Sequence, residues 1–289
     1  MGAATTDESK FMHRHSHVRE FFCGGTAAAI NIVLTFIPNK IMFRQQLYGT
    51  STIDAWASIR EDGWIRLYRG VGPPLLQAAV SKSIMFGLYT SYLDRLRENF
   101  GESIGGLDTS HFAAVLSGTS EAMLTPFERV QTLLQTTKFN AEFNSMSDVF
   151  VRINAVSFRE NYRGLTAILM RNAPSNAIFF GMREHVREML PATTTSSATV
   201  AVDFASGAML GAFLSTLFFP LNVAKTRMQS VYGHHERYIS VVEALKLTYH
   251  ERGSSWARVY RGVHINFARS LVTWGIINSA YEKLMILTE

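Results

Sequence analysis

Long uncharged stretches dominate the hydrophobic pattern of this chain. Residues 21–39 form 19 consecutive uncharged positions, and residues 204–224 form 21. A helix of about 20 apolar residues covers the hydrocarbon core of a bilayer, so each stretch predicts a transmembrane helix. A third stretch, residues 109–127, is interrupted by one formal charge, Glu121.

Three further apolar segments each contain a basic residue. Because hydrocarbon solvates ions poorly, a charge at membrane depth must face water, a partner or a ligand. These segments therefore predict helices with one face turned to a polar interior. They lie near residues 71–93, 167–182 and 263–281, and their basic residues are Lys82, Arg171 and Arg269 respectively.

Related sequences recur three times along the chain. The segments "IPNKIMFRQQ", "TPFERVQTLLQ" and "FPLNVAKTRMQ" each contain a proline and end in a glutamine, at residues 46, 135 and 229. A Tyr-Arg-Gly turn follows each of them, at 68–70, 162–164 and 260–262. Several coincident landmarks at a period of about 95 residues indicate a threefold internal repeat.

The repeat divides the chain into a polar tail and three units. Each unit contains a long helix bent near its proline, a short amphipathic helix, the turn and a second apolar helix. The sequence therefore predicts an all-α membrane protein with six transmembrane helices in three pseudo-symmetric two-helix repeats. The tail covers residues 1–17, and the units cover 18–100, 106–190 and 198–289.

Composition narrows the choice of partners. The chain is 47% hydrophobic and 18% charged, which by itself leaves soluble and membrane classes open. Its net charge of +5 suits an anionic partner, whether nucleotide, nucleic acid or lipid surface. One cysteine, Cys23, excludes an internal disulfide or a multi-cysteine metal site. The His-rich segment at 13–17 lies in the polar tail, where we expect solvation rather than metal binding.

The repeated landmarks resemble the mitochondrial carrier family from about Val18 onward. Within that family, "FRQQLYG", "TPFERVQTLLQ", "NVAKTRMQS" and "RSLVTWGIINSAYE" closely resemble the branch that transports NAD. The resemblance implies a threefold bundle that crosses the mitochondrial inner membrane several times, with short helices on the matrix side. It also implies alternating access to a central site, with no covalent chemistry and no bound cofactor.

The resemblance implies a gate at the matrix ends of the odd-numbered helices. In the family, an acid two residues after the proline position pairs with a base five after it on the next odd helix. Here Glu128 and Lys225 are the one such pair that keeps both charges, because Asn39 and Asn222 replace the other acids. The alternative is that Glu128 and Lys225 are solvated helix-end charges. The expected gate residues are Glu128, Lys225, Gln46, Gln135 and Gln229.

A central substrate site is predicted from helical register. Arg171 and Arg269 each fall nine residues after the tyrosine of their own turn, so we expect them at one depth. Gln77 is the equivalent in the first unit, and Lys82 lies four residues beyond position 78, on one helix face with it. In the family that the chain resembles, residues at this depth contact the substrate. The expected substrate residues are Gln77, Lys82, Glu121, Arg171, Asn172 and Arg269.

These residue types suit a dinucleotide. Arginine makes bidentate contacts to phosphate oxygens, and lysine adds a mobile charge. Glu121 suits a cationic nicotinamide ring, or alternatively pairs with Arg171 or Arg269 and fixes helix packing.

The function expected from the residues and the resemblance is NAD transport. The alternatives are transport of coenzyme A or an adenine nucleotide, and a non-transporting membrane scaffold. The expected partners are NAD and a membrane lipid such as cardiolipin, with no nucleic acid, and the chain is expected to act as a monomer.

Overall fold

The computed structural model describes residues 4–63, 66–104, 107–189, 196–233 and 236–287. Side chains are described from Cys23 onward, apart from a set in the helices and strands that includes those of Lys82 and Glu121. Helices account for most of the described chain. They are α1 Ala4–Tyr48, α2 Thr52–Glu61, α3 Gly72–Phe100, α4 Thr109–Glu121, α5 Thr125–Gln135, α6 Met146–Val156, α7 Leu165–Glu188, α8 Ser196–Leu217, α9 Phe219–Gln229, α10 Val241–Glu251, α11 Trp256–Val259 and α12 Val263–Leu287.

One small antiparallel ribbon joins α3 to α4. Its strands are β1 Ser103–Ile104 and β2 Leu107–Asp108, with Ser103 opposite Asp108. At the start of the chain, α1 already begins at Ala4, so the tail expected at residues 1–17 continues into the first long helix without a break from residue 4.

The long helices of the described chain pack in a closed ring that follows chain order. α3 packs against α1 and α4, α7 against α4 and α8, and α12 against α8 and α1. α5 and α9 continue α4 and α8 past a break, and both lie against their ring neighbours and each other. Helices adjacent in sequence are therefore adjacent in space, and the first and last close the ring.

Prolines explain the two breaks. Pro126 and Pro220 stand in the first turns of α5 and α9. Proline lacks an N–H and clashes with the preceding turn, so it is tolerated best where a helix begins. The axes on either side of the second break differ by 59°. In the first unit, α1 instead continues past Pro38 as one helix to Tyr48.

Three of the shorter helices, α2, α6 and α10, start with the same capping arrangement. In each, a serine side chain accepts a hydrogen bond from the backbone N–H three residues later, where an acidic residue stands. This pattern satisfies a backbone donor at the helix N-terminus. The pairs are Ser51 with Asp54 in α2, Ser145 with Asp148 in α6 and Ser240 with Glu243 in α10.

Only part of the predicted membrane topology is evident from helix composition. Within the described residues, Cys23–Tyr48 is the one helix long and apolar enough to cross a membrane, and the bent α8/α9 pair adds a second if it is counted as one span. Both coincide with long uncharged stretches of the sequence. α7 and α12 carry Arg171 and Arg269, which lower their hydropathy.

Candidate substrate site and gate

A polar cavity of about 210 Å³ lies among the ring helices near the two breaks. Residues from α1, α3, α5, α7, α9 and α12 line it, and most of them carry amide or hydroxyl groups. Its charged lining residues are Glu128, Arg171, Lys225 and Arg269. Three cations and one carboxylate give the lining a formal charge of +2 (3 − 1), which favours an anionic occupant.

The cavity collects most of the residues expected to act in substrate binding and gating. Asn172 and Gln229 lie outside its lining, where Asn172 contacts Arg171 and Gln229 bridges two helices. The side chains of Lys82 and Glu121 lie outside the described residues. The residues that line the cavity are Gln46, Gln77, Glu128, Gln135, Arg171, Lys225 and Arg269.

Glu128 is the contact point of three helices. Its Oε2 accepts a hydrogen bond from Lys225 Nζ at 2.9 Å, and its Oε1 accepts one from Gln77 Nε2 at 3.3 Å. Arg171 Nη2 lies 4.0 Å from the same Oε1. The carboxylate on α5 thus joins α9, α3 and α7, and connects an expected gate residue with an expected substrate residue.

Two asparagines hold the guanidinium of Arg171. Its Nε donates to Asn172 Oδ1 at 2.9 Å, and its Nη1 donates to Asn222 Oδ1 at 2.6 Å. Asn172 therefore orients Arg171 from outside the cavity. Asn222, on α9, lines the cavity itself.

Arg269 has a similar amide neighbour. Its Nη2 lies 3.3 Å from Asn266 Oδ1, and the Nδ2 of Asn266 donates to the backbone oxygen of Ser215 at 3.2 Å. Arg269 Nε is buried and has no hydrogen-bond partner among the described residues. Buried donors are nearly always satisfied, so this nitrogen is available to a ligand or to water.

The three glutamines lie between units. Gln46 Oε1 accepts from Thr226 Oγ1 at 3.0 Å, joining α1 to α9, and Gln229 Oε1 accepts from Thr132 Oγ1 at 3.1 Å, joining α9 to α5. Gln135 lies against Gly70 of the first unit, where a β-carbon would be 3.3 Å from its Cγ. These contacts link α1 to α9 and α9 to α5, and they pack α5 against the turn of the first unit.

The arginines of the Tyr-Arg-Gly turns have a role that the sequence did not reveal. Each donates to a backbone oxygen in the segment after α5, α9 or α1 of the next unit, so the units are linked in a cycle. The Tyr-Arg-Gly motif marked the repeat, but the backbone carbonyl that accepts from its arginine cannot be identified from the sequence. The pairs are Arg69 with Asn140 at 2.8 Å, Arg163 with Arg237 at 2.5 Å, and Arg261 with Gly49.

The link between the second and third units contains a buried ion cluster. Glu160 Oε2 lies 3.0 Å from Arg129 Nη2, and its Oε1 lies 3.2 Å from Arg163 Nη1. Burial raises the pKa of the nearby Tyr238, whose hydrogen bond to Glu160 raises it further. Two guanidinium groups thus share one carboxylate away from solvent.

Comparison with known proteins decides the family. Three segments of the chain, residues 13–100, 108–193 and 196–288, match the sequence pattern of the family described as mitochondrial carrier protein. The chain belongs to the mitochondrial carrier family. The resemblance first inferred from the repeated motifs is therefore confirmed.

This carrier is also similar to individual members of the family. It is 43% identical over 280 residues to the human mitochondrial nicotinamide adenine dinucleotide transporter SLC25A51, covering 96% of this chain and 93% of that protein. It is 44% identical to the mouse SLC25A51 transporter, covering 93% and 89% of the two chains. The human transporter SLC25A52, which has the same descriptive name, is 42% identical, covering 96% and 93%.

Proposed function

We propose that this carrier transports NAD across the mitochondrial inner membrane by alternating access, without covalent chemistry. The observation that carries the proposal is the convergence of Arg171 and Arg269 on one cavity in a chain 43% identical to a named NAD transporter. Two planar guanidinium groups match the two phosphates of a dinucleotide, because each can make bidentate contacts to phosphate oxygens.

The cavity suits the pyrophosphate rather than the whole molecule. Its volume of about 210 Å³ is below the range of roughly 300–1,000 Å³ typical of pockets that enclose a drug-sized ligand. Its formal charge of +2 balances the two phosphate charges of NAD. The nucleoside parts extend along the ring interior, where we expect Glu121 of α4 to contact the nicotinamide ring, and we expect Lys82 of α3 to add its charge to those that hold the phosphates.

The ring supports a proposed membrane topology of six transmembrane helices in three pseudo-symmetric repeats, with α2, α6 and α10 as short matrix helices. In this arrangement Glu128 and Lys225 form the ionic part of the matrix gate, and Gln46, Gln135 and Gln229 brace it. A ring that closes within one chain supports transport by a monomer.

A second cavity supports the proposed lipid contact. It has a volume of about 650 Å³ and lies where α7 and α10 begin, with Leu165, Met170 and Val241 among its apolar lining residues and Arg159 and Arg163 beside them. Two helix N-termini and the exposed Arg159 favour an anionic headgroup, and the apolar lining favours acyl chains. We therefore propose an anionic lipid such as cardiolipin at this position.

Transport by purified protein in liposomes tests the function. Labelled NAD, coenzyme A and ATP would be offered at equal concentration, with liposomes lacking protein as the control. Uptake of NAD above the other two supports the proposal. Preferential uptake of coenzyme A or ATP would reassign the substrate, and uptake of none by folded protein would favour a scaffold.

A further inference from the structure

Asn222 occupies a position where the family pattern has a gate acid. It stands two residues after Pro220 on α9, and Lys225, which contacts Glu128, lies one turn further on. Its Oδ1 accepts a hydrogen bond of 2.6 Å from Arg171 Nη1 on α7. The side chain at this gate position therefore points to a substrate arginine.

An amide and a carboxylate would affect Arg171 differently. Both can accept its N–H and fix the plane of the guanidinium. A carboxylate at 2.6 Å would also form an ion pair with the guanidinium of Arg171. It would then compete with a phosphate, because both anions bind the same N–H donors. An amide orients the group and leaves its charge available. Asn266 stands beside Arg269 in the same way, with Oδ1 3.3 Å from Nη2.

Arg171 also lies close to the gate carboxylate. Its Nη2 is 4.0 Å from Glu128 Oε1, while Lys225 holds Oε2 at 2.9 Å. A phosphate bound to Arg171 draws the guanidinium toward itself and weakens its attraction to Glu128. Its hydrogen bond to Asn222 also joins Arg171 to α9, the helix that carries Lys225. Substrate binding and the α5–α9 contact are thus connected through one side chain.

We propose that Asn222 is a positioning residue that aims Arg171 at the phosphates of the substrate and couples their binding to the gate. This inference rests on the proposed function, because it assigns a role at the same site. Arg171 makes the phosphate contact, and Asn222 acts through it.

Inorganic pyrophosphate, used to compete with labelled NAD for uptake into liposomes, provides the test. In Asn222→Ala we expect the KM for NAD and the inhibition constant of pyrophosphate each to rise about tenfold, because Arg171 loses its oriented acceptor. The melting temperature should stay close to that of the wild type, whereas the maximal rate should fall, because the link from Arg171 to the gate helix α9 is lost.

Asn154 offers a matched control. Its Oδ1 also accepts a short side-chain hydrogen bond, 2.6 Å from Asn161 Nδ2, but it stands on α6 outside the cavity. Asn154→Ala should change both constants by less than about twofold, since Arg171 keeps its acceptor. Equal effects of Asn154→Ala and Asn222→Ala would overturn the inference.

Two conservative variants separate orientation from folding. Asn222→Ser keeps a short oxygen acceptor and should restore part of the affinity lost in Asn222→Ala. Asn222→Asp keeps the size but adds a charge, so it should raise both constants at least as much as alanine. Wild-type constants in Asn222→Asp, or a lower melting temperature in Asn222→Ala with an unchanged KM, would contradict the proposal.

The competition assay also distinguishes a failure of this inference from a failure of the proposed function. If pyrophosphate fails to inhibit NAD uptake by the wild type, the phosphate site itself is wrong. If pyrophosphate inhibits the wild type and Asn222→Ala equally, the phosphate site stands and the role of Asn222 is overturned.

Discussion

Lys225 Nζ lies 2.9 Å from Glu128 Oε2, across the boundary between the third and second units. The two side chains are 19% and 15% exposed, so water screens the pair only in part. The pair therefore stabilises the closed arrangement of α5 and α9 more than a solvated surface pair would.

The double charge reversal Glu128→Lys with Lys225→Glu should retain more NAD uptake than either single reversal. Each single change places two like charges together, and the double change restores attraction. A coupling of about 1 kcal/mol or more is expected from the cycle, measured as initial uptake rates at equal amounts of folded protein. The exposed pair Arg97 and Glu102 is the control, and its reversal should leave uptake unchanged. Equal loss in all three gate variants would argue against the pair.

Replacing Arg171 or Arg269 with alanine should lower NAD uptake by about tenfold or more, equivalent to about 1.4 kcal/mol. Lysine at either position should rescue poorly, because it keeps the charge and loses the planar fork. Arg237→Ala is the matched control, since that side chain is 80% exposed and stands outside the cavity. Normal uptake by folded alanine variants would show that the phosphate site lies elsewhere.

Glu121→Gln should weaken NAD uptake more than NADH uptake. The change keeps the shape of the side chain and removes its charge, and only the oxidised nicotinamide ring is cationic. The measurement is uptake of both nucleotides by the same preparation, with melting temperature recorded for each variant. A similar effect on both nucleotides would favour the alternative in which Glu121 pairs with an arginine and fixes helix packing.

Glu160→Gln should destabilise the fold by about 3 kcal/mol, because it leaves two buried guanidinium groups without a counter-charge. Arg129 is fully buried, and the carboxylate of Glu160 is 3% exposed. The check is thermal unfolding in detergent. Glu102→Gln removes a carboxylate that is 78% exposed and pairs with Arg97, so it should change stability by less than about 1 kcal/mol. Equal shifts in the two variants would contradict a structural role for the buried cluster.

Gly164→Ala should destabilise the link between the second and third units more than Gly63→Ala does. Both glycines have positive φ, 85° and 91°, so alanine is strained at either position. At Gly164 a β-carbon would also lie 2.9 Å from Gln229 Cγ, whereas at Gly63 no atom lies within 4 Å. We expect an additional loss of roughly 1–3 kcal/mol at Gly164, measured by thermal unfolding. A difference near zero would mean that Gln229 moves aside freely.

The sequence alone determined the repeat and the family, and it predicted a common depth for Arg171 and Arg269. Proline and glycine constrain the backbone locally, so the breaks before α5 and α9 could be read from Pro126 and Pro220. Helical register likewise predicts one level for Arg171 and Arg269, because spacing from a fixed turn sets height along a helix. In the first unit α1 continues through Pro38 without a break, since packing against α12 and α3 can maintain a helix across a proline.

Only the tertiary structure decided which groups hold these charges in place. Asn222 and Arg171 are 51 positions apart on different helices, and the ring brings them to 2.6 Å. Arg163 reaches a backbone oxygen of the next unit, an acceptor that every residue possesses and that sequence therefore cannot single out. Periodicity and residue chemistry determine which side chains a helix presents and where they lie along its axis. The angle around its axis, and so the partner of each side chain, depends on how all the helices pack together.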